Sequence, residues 1–261
     1  MVSRCDVLAI GAHPDDVELG CGGLVARLVA SGKTVGVVDL TAGELGTRGE
    51  VEVRRAEAAA AASALGVSWR QCLALPDGGL RSADPEQMAA VVGVLRTAGP
   101  RVVILPDGGD PHPDHQAAAA LVARACTWSA VRSWRPTSGP PHKPQLLLAY
   151  PGPRQVLAPA VVVEVTAWYP AKRSACLAHR SQFDPEAGPP THLASGHFLA
   201  AIEGRDRAVG NTVGVALAEG FSVLGPLPGD ELAWLLRAGE REPGTGEQES
   251  AGAAVAVRRF R

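Results

Sequence analysis

Short apolar runs alternate with longer helical patterns through the first half of this 261-residue chain, and this alternation constrains the fold more than any other feature. The apolar runs are typical of buried strands and cover residues 7–12, 35–40, 71–75 and 102–105. The segments that follow them predict helices over residues 24–31, 51–65, 86–98 and 115–129. Strands and helices that alternate at this spacing indicate right-handed βαβ units. We therefore predict an α/β, Rossmann-like fold, with a mainly parallel sheet and helices on both faces.

The second half of the chain is less regular and richer in proline and glycine. Its pattern predicts a connector over 132–144, a strand over 161–165, and helical segments over 167–181, 195–219 and 231–237. Residues 238–261 mix charge, glycine and alanine without periodicity, as mobile tails do. The expected organisation is a single α/β domain over residues 1–237, followed by a flexible C-terminal tail over 238–261.

Composition narrows the class of protein. The net charge of −2 lacks the basic excess that is typical of nucleic-acid-binding proteins. No apolar run approaches the ~20 residues of a transmembrane helix, and the N-terminus does not resemble a secretory signal. The five cysteines are scattered and form no C-x-x-C pair, which argues against a disulfide framework. We expect a cytoplasmic protein whose partners include neither nucleic acid nor a membrane.

Two clusters of polar side chains each follow a predicted strand. Ala-His-Pro-Asp-Asp at residues 12–16 follows the first strand, and His-Pro-Asp-His at residues 112–115 follows the fourth. In open α/β sheets, ligands bind beyond the carboxyl ends of the strands, so the two clusters can meet there. Imidazole nitrogens and carboxylate oxygens suit zinc or another divalent metal, and a catalytic zinc commonly has three protein ligands and one water. The pattern therefore predicts a metal site, and a carboxylate beside a metal points to hydrolysis.

The role of each side chain in these clusters has alternatives. Asp15 and Asp16 are adjacent, so their side chains diverge: one can bind a metal while the other faces the attacking water. Alternatively, one of them merely caps the helix that follows. Either His112 or His115 can supply a third ligand, the other can bind a developing oxyanion, and Asp114 can orient one imidazole. The alternative is a surface helix N-terminus capped by Asp114.

Other residues near the same sheet edge are candidates for substrate contacts. Arg48, Arg54 and Asp77 follow the second and third strands, and an arginine there can bind a hydroxyl or carboxylate. Alternatively, Arg54 and Arg55 lie on a solvated helix face, paired with glutamates. Residues 20–23, Gly-Cys-Gly-Gly, do not form the dinucleotide motif G-x-G-x-x-G and indicate close packing of a helix against the sheet.

The two clusters together resemble those of the zinc-dependent N-acetylglucosamine deacetylases related to PIG-L and LmbE. The resemblance rests on residues 11–20 and 112–115 and covers roughly residues 5–225. Segments 38–49, 52–58, 75–78, 181–183 and 214–221 look like the branch that makes bacillithiol. The resemblance implies zinc ligands His13, Asp16 and His115, the general base and later acid Asp15, and the oxyanion donor His112 oriented by Asp114. It also implies that Arg54 binds substrate. His197 stands at a position where close relatives often carry a tyrosine, and that tyrosine is thought to approach the reacting carbonyl.

The resemblance implies a hydrolase that removes the acetyl group from a small N-acetylated amino sugar. The best candidate is N-acetylglucosaminyl malate, because a negatively charged aglycone suits Arg48 or Arg54. Alternatives are a deacetylase of another small amide, of the mycothiol or antibiotic-glycoside type, and a non-catalytic zinc- or sugar-binding relative. Arg48, Asp77 and His197 are expected to line the substrate pocket. Related enzymes also imply a homo-oligomer, either a trimer or a hexamer.

Overall fold

The computed structural model describes residues 2–135 and 139–237, so the predicted tail over 238–261 lies outside the described residues. The strands are β1 (Val7–Gly11), β2 (Val35–Thr41), β3 (Trp69–Leu75), β4 (Val102–Pro106), β5 (Leu146–Tyr150), β6 (Val161–Glu164) and β7 (Ala218–Val223). The helices are α1 (Asp16–Ala30), α2 (Val51–Leu65), α3 (Pro85–Ala98), α4 (Pro113–Ser129), α5 (Tyr169–Ala178), α6 (Arg180–Phe183), α7 (Phe198–Asn211) and α8 (Gly229–Leu236). None of these helices has both the length and the apolar character needed to cross a bilayer.

The strands form one seven-stranded sheet in the order β3-β2-β1-β4-β5-β7-β6. Strands β3, β2, β1, β4 and β5 run parallel, and β7 is antiparallel to both β5 and β6. The prediction of a mainly parallel α/β fold is confirmed. Strand order reverses between β1 and β4, which is where doubly wound sheets bind their ligands. Because β1 and β4 are neighbours, the loops that carry the two polar clusters emerge side by side.

Helices cover both faces of this sheet, as predicted. Alternate residues of β1 point to opposite faces: Leu8 and Ile10 pack in the layer of α3 and α4, whereas Val7 and Ala9 pack in the layer of α1, α2, α5 and α8. All four side chains are at most 1% exposed. A sheet covered on both faces explains why the central strands appear in the sequence as continuous apolar runs.

Helix α1 begins at Asp16, well before the predicted start at residue 24, and it is interrupted at Cys21, which has a φ of −147°. The glycines on either side of Cys21 lower helix propensity and conceal the first turns from a sequence-based prediction. They also permit close packing: a Cβ atom on Gly20 would lie 2.0 Å from the Tyr150 ring, and one on Gly23 would lie 2.8 Å from Val165. The interpretation of this segment as a packing element is confirmed.

A buried ionic network binds the backbone next to the break in α1. The Glu219 carboxylate accepts hydrogen bonds from the N–H groups of Gly23 and Leu24, at 2.9 and 2.7 Å. Lys172 Nζ in turn donates to Glu219 at 2.6 Å and to Asp206 at 2.7 Å. Both carboxylates and the ammonium are at most 1% exposed, so the pairing compensates their loss of hydration.

The second half of the chain differs more from its predicted elements. Strand β5 was not predicted, and the expected helix over 167–181 is a short 3-10 turn (Thr166–Trp168) followed by α5 and α6. In the predicted helical region 195–219, only α7 is helical over a substantial length, and the chain enters β7 at Ala218. Strand β7 is stabilised by antiparallel pairing with β5 and β6, which local sequence periodicity does not encode.

Candidate active site

A cavity of about 480 Å³ opens at the carboxyl ends of β1 and β4. Both predicted clusters line it, and they contribute His13, Asp15, Asp16, His112, Asp114 and His115. The prediction that two loops far apart in sequence meet at this edge is confirmed.

Three side chains converge within the cavity as a possible set of metal ligands. One ligand atom from each of His13, Asp16 and His115 lies within 4.8 Å of the others. Asp16 bridges the two histidines: its Oδ1 is 3.1 Å from His115 Nε2, and its Oδ2 is 3.5 Å from His13 Nδ1. His13, His112 and Asp114 form a second such group. Two nitrogens and one carboxylate oxygen around one point make a donor set that fits zinc.

The remaining ring nitrogens of His13 and His115 contact carboxylates. His115 Nδ1 lies 3.1 Å from Asp110 Oδ2. His13 Nε2 lies 3.0 Å from Asp77 Oδ1 and 3.3 Å from Asp114 Oδ2. Carboxylates placed in this way orient metal-binding imidazoles and raise their basicity. The Asp114 carboxylate therefore contacts His13. The resemblance implied instead that Asp114 orients His112. Asp110 was not recognised from the sequence at all.

The electrostatics of this group are dominated by carboxylates. Burial lowers the pKa of His115, but Asp16 and Asp110 outweigh burial and raise it to about 10. Burial also lowers the pKa of His13, and hydrogen bonds to its three carboxylate partners raise it to about 12. Burial raises the pKa of Asp16, but the two histidines outweigh burial and hold it well below its usual range. Protons on the histidines balance the carboxylates, and a divalent cation would supply the same positive charge.

Asp15 differs from its neighbour Asp16 in conformation and contacts. Its φ is +119°, an unfavourable region for a residue with a Cβ atom, and its side chain makes no helix-capping hydrogen bond. The alternative that Asp15 only caps α1 is therefore wrong. The carboxylate is buried, and its Oδ2 lies 3.6 Å from Arg54 Nη2. Burial raises the pKa of Asp15 to about 6, although Arg54 acts to lower it. Strained backbone of this kind is typical of functional sites.

Arg54 is buried and lines the cavity. Its Nη1 donates to the Gly43 carbonyl at 2.9 Å and its Nη2 to the Pro14 carbonyl at 2.8 Å. Gly43 has a φ of +70°, and a Cβ atom there would lie 1.7 Å from Arg54 Nη1. The alternative of a solvated helix face is wrong for Arg54, whereas Arg55 is exposed. Arg54 thus joins the loop after β2 to the loop that carries Asp15.

His112 stands at the N-cap of α4, and its Nδ1 accepts a hydrogen bond from the Asp114 N–H at 3.2 Å. Because Nδ1 is an acceptor, the proton of the neutral ring lies on Nε2, which is then a donor. Burial lowers the pKa of His112, which favours this neutral form. The alternative that the Asp114 side chain caps the helix is therefore wrong, because the His112 side chain caps it.

The remaining predicted substrate contacts divide into two groups. Arg48 and Asp77 line the cavity, as expected. His197 is exposed at the N-cap of α7 and is not part of the cavity wall, whereas His192 is. The expected approach of His197 to a reacting carbonyl is therefore not observed. No signal in the sequence indicates which of these two histidines lines the cavity.

A buried network that was not predicted lies along α1 beyond Asp16. Arg70 pairs with Glu18 and donates to both oxygens of Asp39, at 2.7 and 2.8 Å. Burial raises the pKa of Glu18, but Arg70 and His179 together outweigh burial and hold it at about 2. His179 is fully buried, and its Nε2 lies 3.4 Å from Glu18 Oε1. The network fixes α1 against β2 and β3 and thereby supports the loop that carries Asp16.

Comparison with known proteins relates this chain to deacetylases. Residues 8–126 match the family model described as PIG-L: GlcNAc-PI de-N-acetylase. The crystal structure of a conserved protein from Thermus thermophilus is 38% identical, with a TM-score of 0.76 over 86% of this chain and 96% of that one. N,N′-diacetylchitobiose deacetylase from Pyrococcus horikoshii, solved with its inhibitor MPG, is 25% identical, with a TM-score of 0.73 over 90% of this chain and 87% of that one.

Among curated proteins, the 1D-myo-inositol 2-acetamido-2-deoxy-alpha-D-glucopyranoside deacetylase of Kineococcus radiotolerans is 32% identical over 133 residues. That match covers 37% of this chain and 37% of the relative. The chain therefore spans about two fifths of the length of this relative (37%) and about a quarter (26%) of the length of another curated relative that it matches.

Proposed function

We propose that this chain is a member of the PIG-L family and a metal-dependent N-deacetylase that acts on a small N-acetylated amino sugar. The observation that carries the proposal is that two adjacent aspartates, Asp15 and Asp16, differ in their contacts and conformation. Asp16 faces two histidines in a group suited to a metal, whereas Asp15 lies beside that group in a strained conformation and contacts neither histidine through an ion pair. A site that only bound a metal would not need the second carboxylate.

His13, Asp16 and His115 would hold the metal, for which we propose zinc because the donors are two imidazoles and a carboxylate. Zinc bound there would lower the pKa of a water molecule and polarise the acetamide carbonyl. Asp110 orients His115, and Asp77 orients His13. These contacts hold the ligands in place before substrate arrives.

Asp15 would act as the general base. It takes a proton from the attacking water and later delivers a proton to the leaving nitrogen, because a free amide anion is too basic to leave. Arg54 holds the Asp15 loop through the Pro14 carbonyl. His112, with its proton on Nε2, would donate to the oxygen of the tetrahedral intermediate, and loss of one such donor typically costs ~10²–10³ in rate.

The substrate class follows from the relatives. Two of them are named as deacetylases of N-acetylated sugars, the Kineococcus radiotolerans and Pyrococcus horikoshii proteins, which favours an N-acetylglucosamine conjugate for this chain. Within that class we propose N-acetylglucosaminyl malate, on the resemblance to the bacillithiol branch. The same proposal includes a cytoplasmic, homo-oligomeric enzyme with one domain over residues 1–237.

The test is acetate release from N-acetylglucosaminyl malate, the inositol conjugate and free N-acetylglucosamine, each with and without a chelator. We expect the malate conjugate to be cleaved fastest, and all activity to be lost with chelator and restored by zinc. Activity that resists chelation would contradict the metal role. Binding of zinc and of sugar without any acetate release would identify a non-catalytic relative instead.

A further inference from the structure

Arg48 is a buried cation that forms no ion pair within the part of the chain that the structure describes. Its side chain is 3% exposed, and its Nη2 donates to the Asp184 carbonyl at 2.6 Å. Its Nε and Nη1 are buried and have no hydrogen-bond partner among the described residues. Within residues 2–135 and 139–237, no carboxylate oxygen lies within 4.0 Å of its guanidinium.

Two other buried arginines of this fold, Arg96 and Arg70, are better satisfied. Arg96, at 1% exposure, donates from all three side-chain nitrogens to backbone carbonyls at 2.7–3.1 Å. Arg70 binds two carboxylates. A buried donor without a partner is destabilising, and for a charged group the cost is larger. Arg48 is therefore arranged for a partner that the described chain does not itself supply.

The position of Arg48 indicates where that partner lies. Arg48 lines the same cavity as His13 and Asp15. Its backbone is fixed, because Gln182 Nε2 donates to the Arg48 carbonyl at 2.7 Å. Gly188 leaves room beside the guanidinium, since a Cβ atom there would lie 3.1 Å from Arg48 Nε. Arg48 is thus held in the wall of the cavity that contains both polar clusters.

We propose that Arg48 binds a carboxylate on the aglycone of the substrate and makes the enzyme selective for anionic N-acetylglucosamine conjugates. The inference rests on the proposed function and names the substrate class within it. A guanidinium with two unoccupied N–H directions is suited to a carboxylate. Arg54 is less suited, because both of its Nη atoms already donate to backbone carbonyls and only its Nε is left without a partner among the described residues.

The kinetic test compares two substrates of matched size, N-acetylglucosaminyl malate and its malate diamide. The wild-type protein is expected to prefer the dianion in kcat/KM. Arg48→Gln is expected to reduce that preference by about 10–100-fold, mainly through KM, as loss of a charge-assisted hydrogen bond predicts. Arg48→Lys keeps the charge without the planar fork and should give an intermediate preference.

Arg154→Gln is the matched control, because Arg154 is an arginine that lines the same cavity and is less buried than Arg48. The thermal midpoints of all variants show whether they remain folded. A preference that is unchanged in Arg48→Gln, or that disappears in Arg154→Gln instead, would overturn the assignment.

Calorimetry gives a second test that needs no turnover. Malate should bind the zinc-loaded wild-type protein and bind Arg48→Gln at least about 10-fold more weakly. Succinamide should bind neither protein. Equal malate affinity in both proteins, or phosphate binding tighter than malate binding, would overturn a carboxylate subsite at Arg48. If acetate is never released but malate binding depends on Arg48, the proposed function fails and the anion site stands.

Discussion

His115 Nδ1 lies 3.1 Å from Asp110 Oδ2, while His115 Nε2 faces Asp16 at 3.1 Å. Asp110 also accepts the His112 N–H at 2.7 Å, so one carboxylate fixes both histidines of the second loop. A Cβ atom on Gly152 would lie 1.1 Å from Asp110 Oδ2, so the loop after β5 must carry glycine at this point. The orientation of a proposed zinc ligand therefore depends on three separate loops.

The first prediction concerns this contact. Asp110→Ala should lower zinc affinity by about 10–100-fold, as loss of a carboxylate behind a metal-binding histidine does. Competition with a chromophoric chelator measures the change. Asp107→Ala is the control, because Asp107 lies in the same loop but its carboxylate bonds Gln155 and Gly109. Equal zinc affinity in the two variants would show that Asp110 does not support the metal.

The second prediction concerns the packing of α1. Gly20→Ala should destabilise the protein by about 1–3 kcal/mol, because its Cβ atom would lie 2.0 Å from the buried Tyr150 ring. Gly204→Ala in α7 is the control: its Cβ atom would have no neighbour within 4 Å, and alanine favours helix. Urea unfolding gives both values. A Gly20→Ala protein as stable as the wild type would contradict the close packing.

The third prediction is a loss of stability at alkaline pH. Burial lowers the pKa of Lys172, but Asp206 and Glu219 outweigh burial and raise it above its usual range. Burial also raises the pKa of Tyr169, with a further contribution from Asp206. For both groups the unfolded-state pKa is near 10, and the folded-state pKa is higher. The stabilisation from each group is therefore complete below the unfolded-state pKa and is lost as the pH rises through the folded-state pKa.

The free energy of unfolding should therefore fall from about pH 10 upward. Tyr169→Phe removes one of the two titrating groups and should make that fall less steep. Urea unfolding between pH 8 and pH 11 measures both slopes. A slope that is identical in the variant and the wild type would exclude a contribution from Tyr169.

The fourth prediction concerns thiol reactivity. Cys72 is exposed, and the other four cysteines are buried. Burial raises the pKa of both Cys126 and Cys176 to about 12, which keeps their thiols protonated near neutral pH. A thiol reagent at pH 8 should label Cys72 first, as read by peptide mass spectrometry. Earlier labelling of any buried cysteine would contradict the described packing.

The sequence was most informative where local pattern and chemistry coincide. Apolar periodicity located the first four strands, β1 to β4, and the two polar clusters were correctly expected to meet. Other contacts depend on tertiary structure: Asp114 reaches His13 across 101 residues of chain, and no local spacing encodes that distance. The same holds for β7, whose strand character comes from pairing with β5 and β6. Arg48 was a candidate from its position, but only the structure revealed its unpaired nitrogens.

In the proposed mechanism the two adjacent aspartates have different roles: Asp16 binds the metal and Asp15 transfers the proton. The most direct test measures bound zinc and acetate release together in Asp15→Asn and Asp16→Asn. We expect Asp15→Asn to keep about one zinc per chain but to lose about 10²–10⁴ in kcat, and Asp16→Asn to lose both zinc and activity. An Asp15→Asn protein with near-normal turnover, or an Asp16→Asn protein with unchanged zinc affinity, would contradict it.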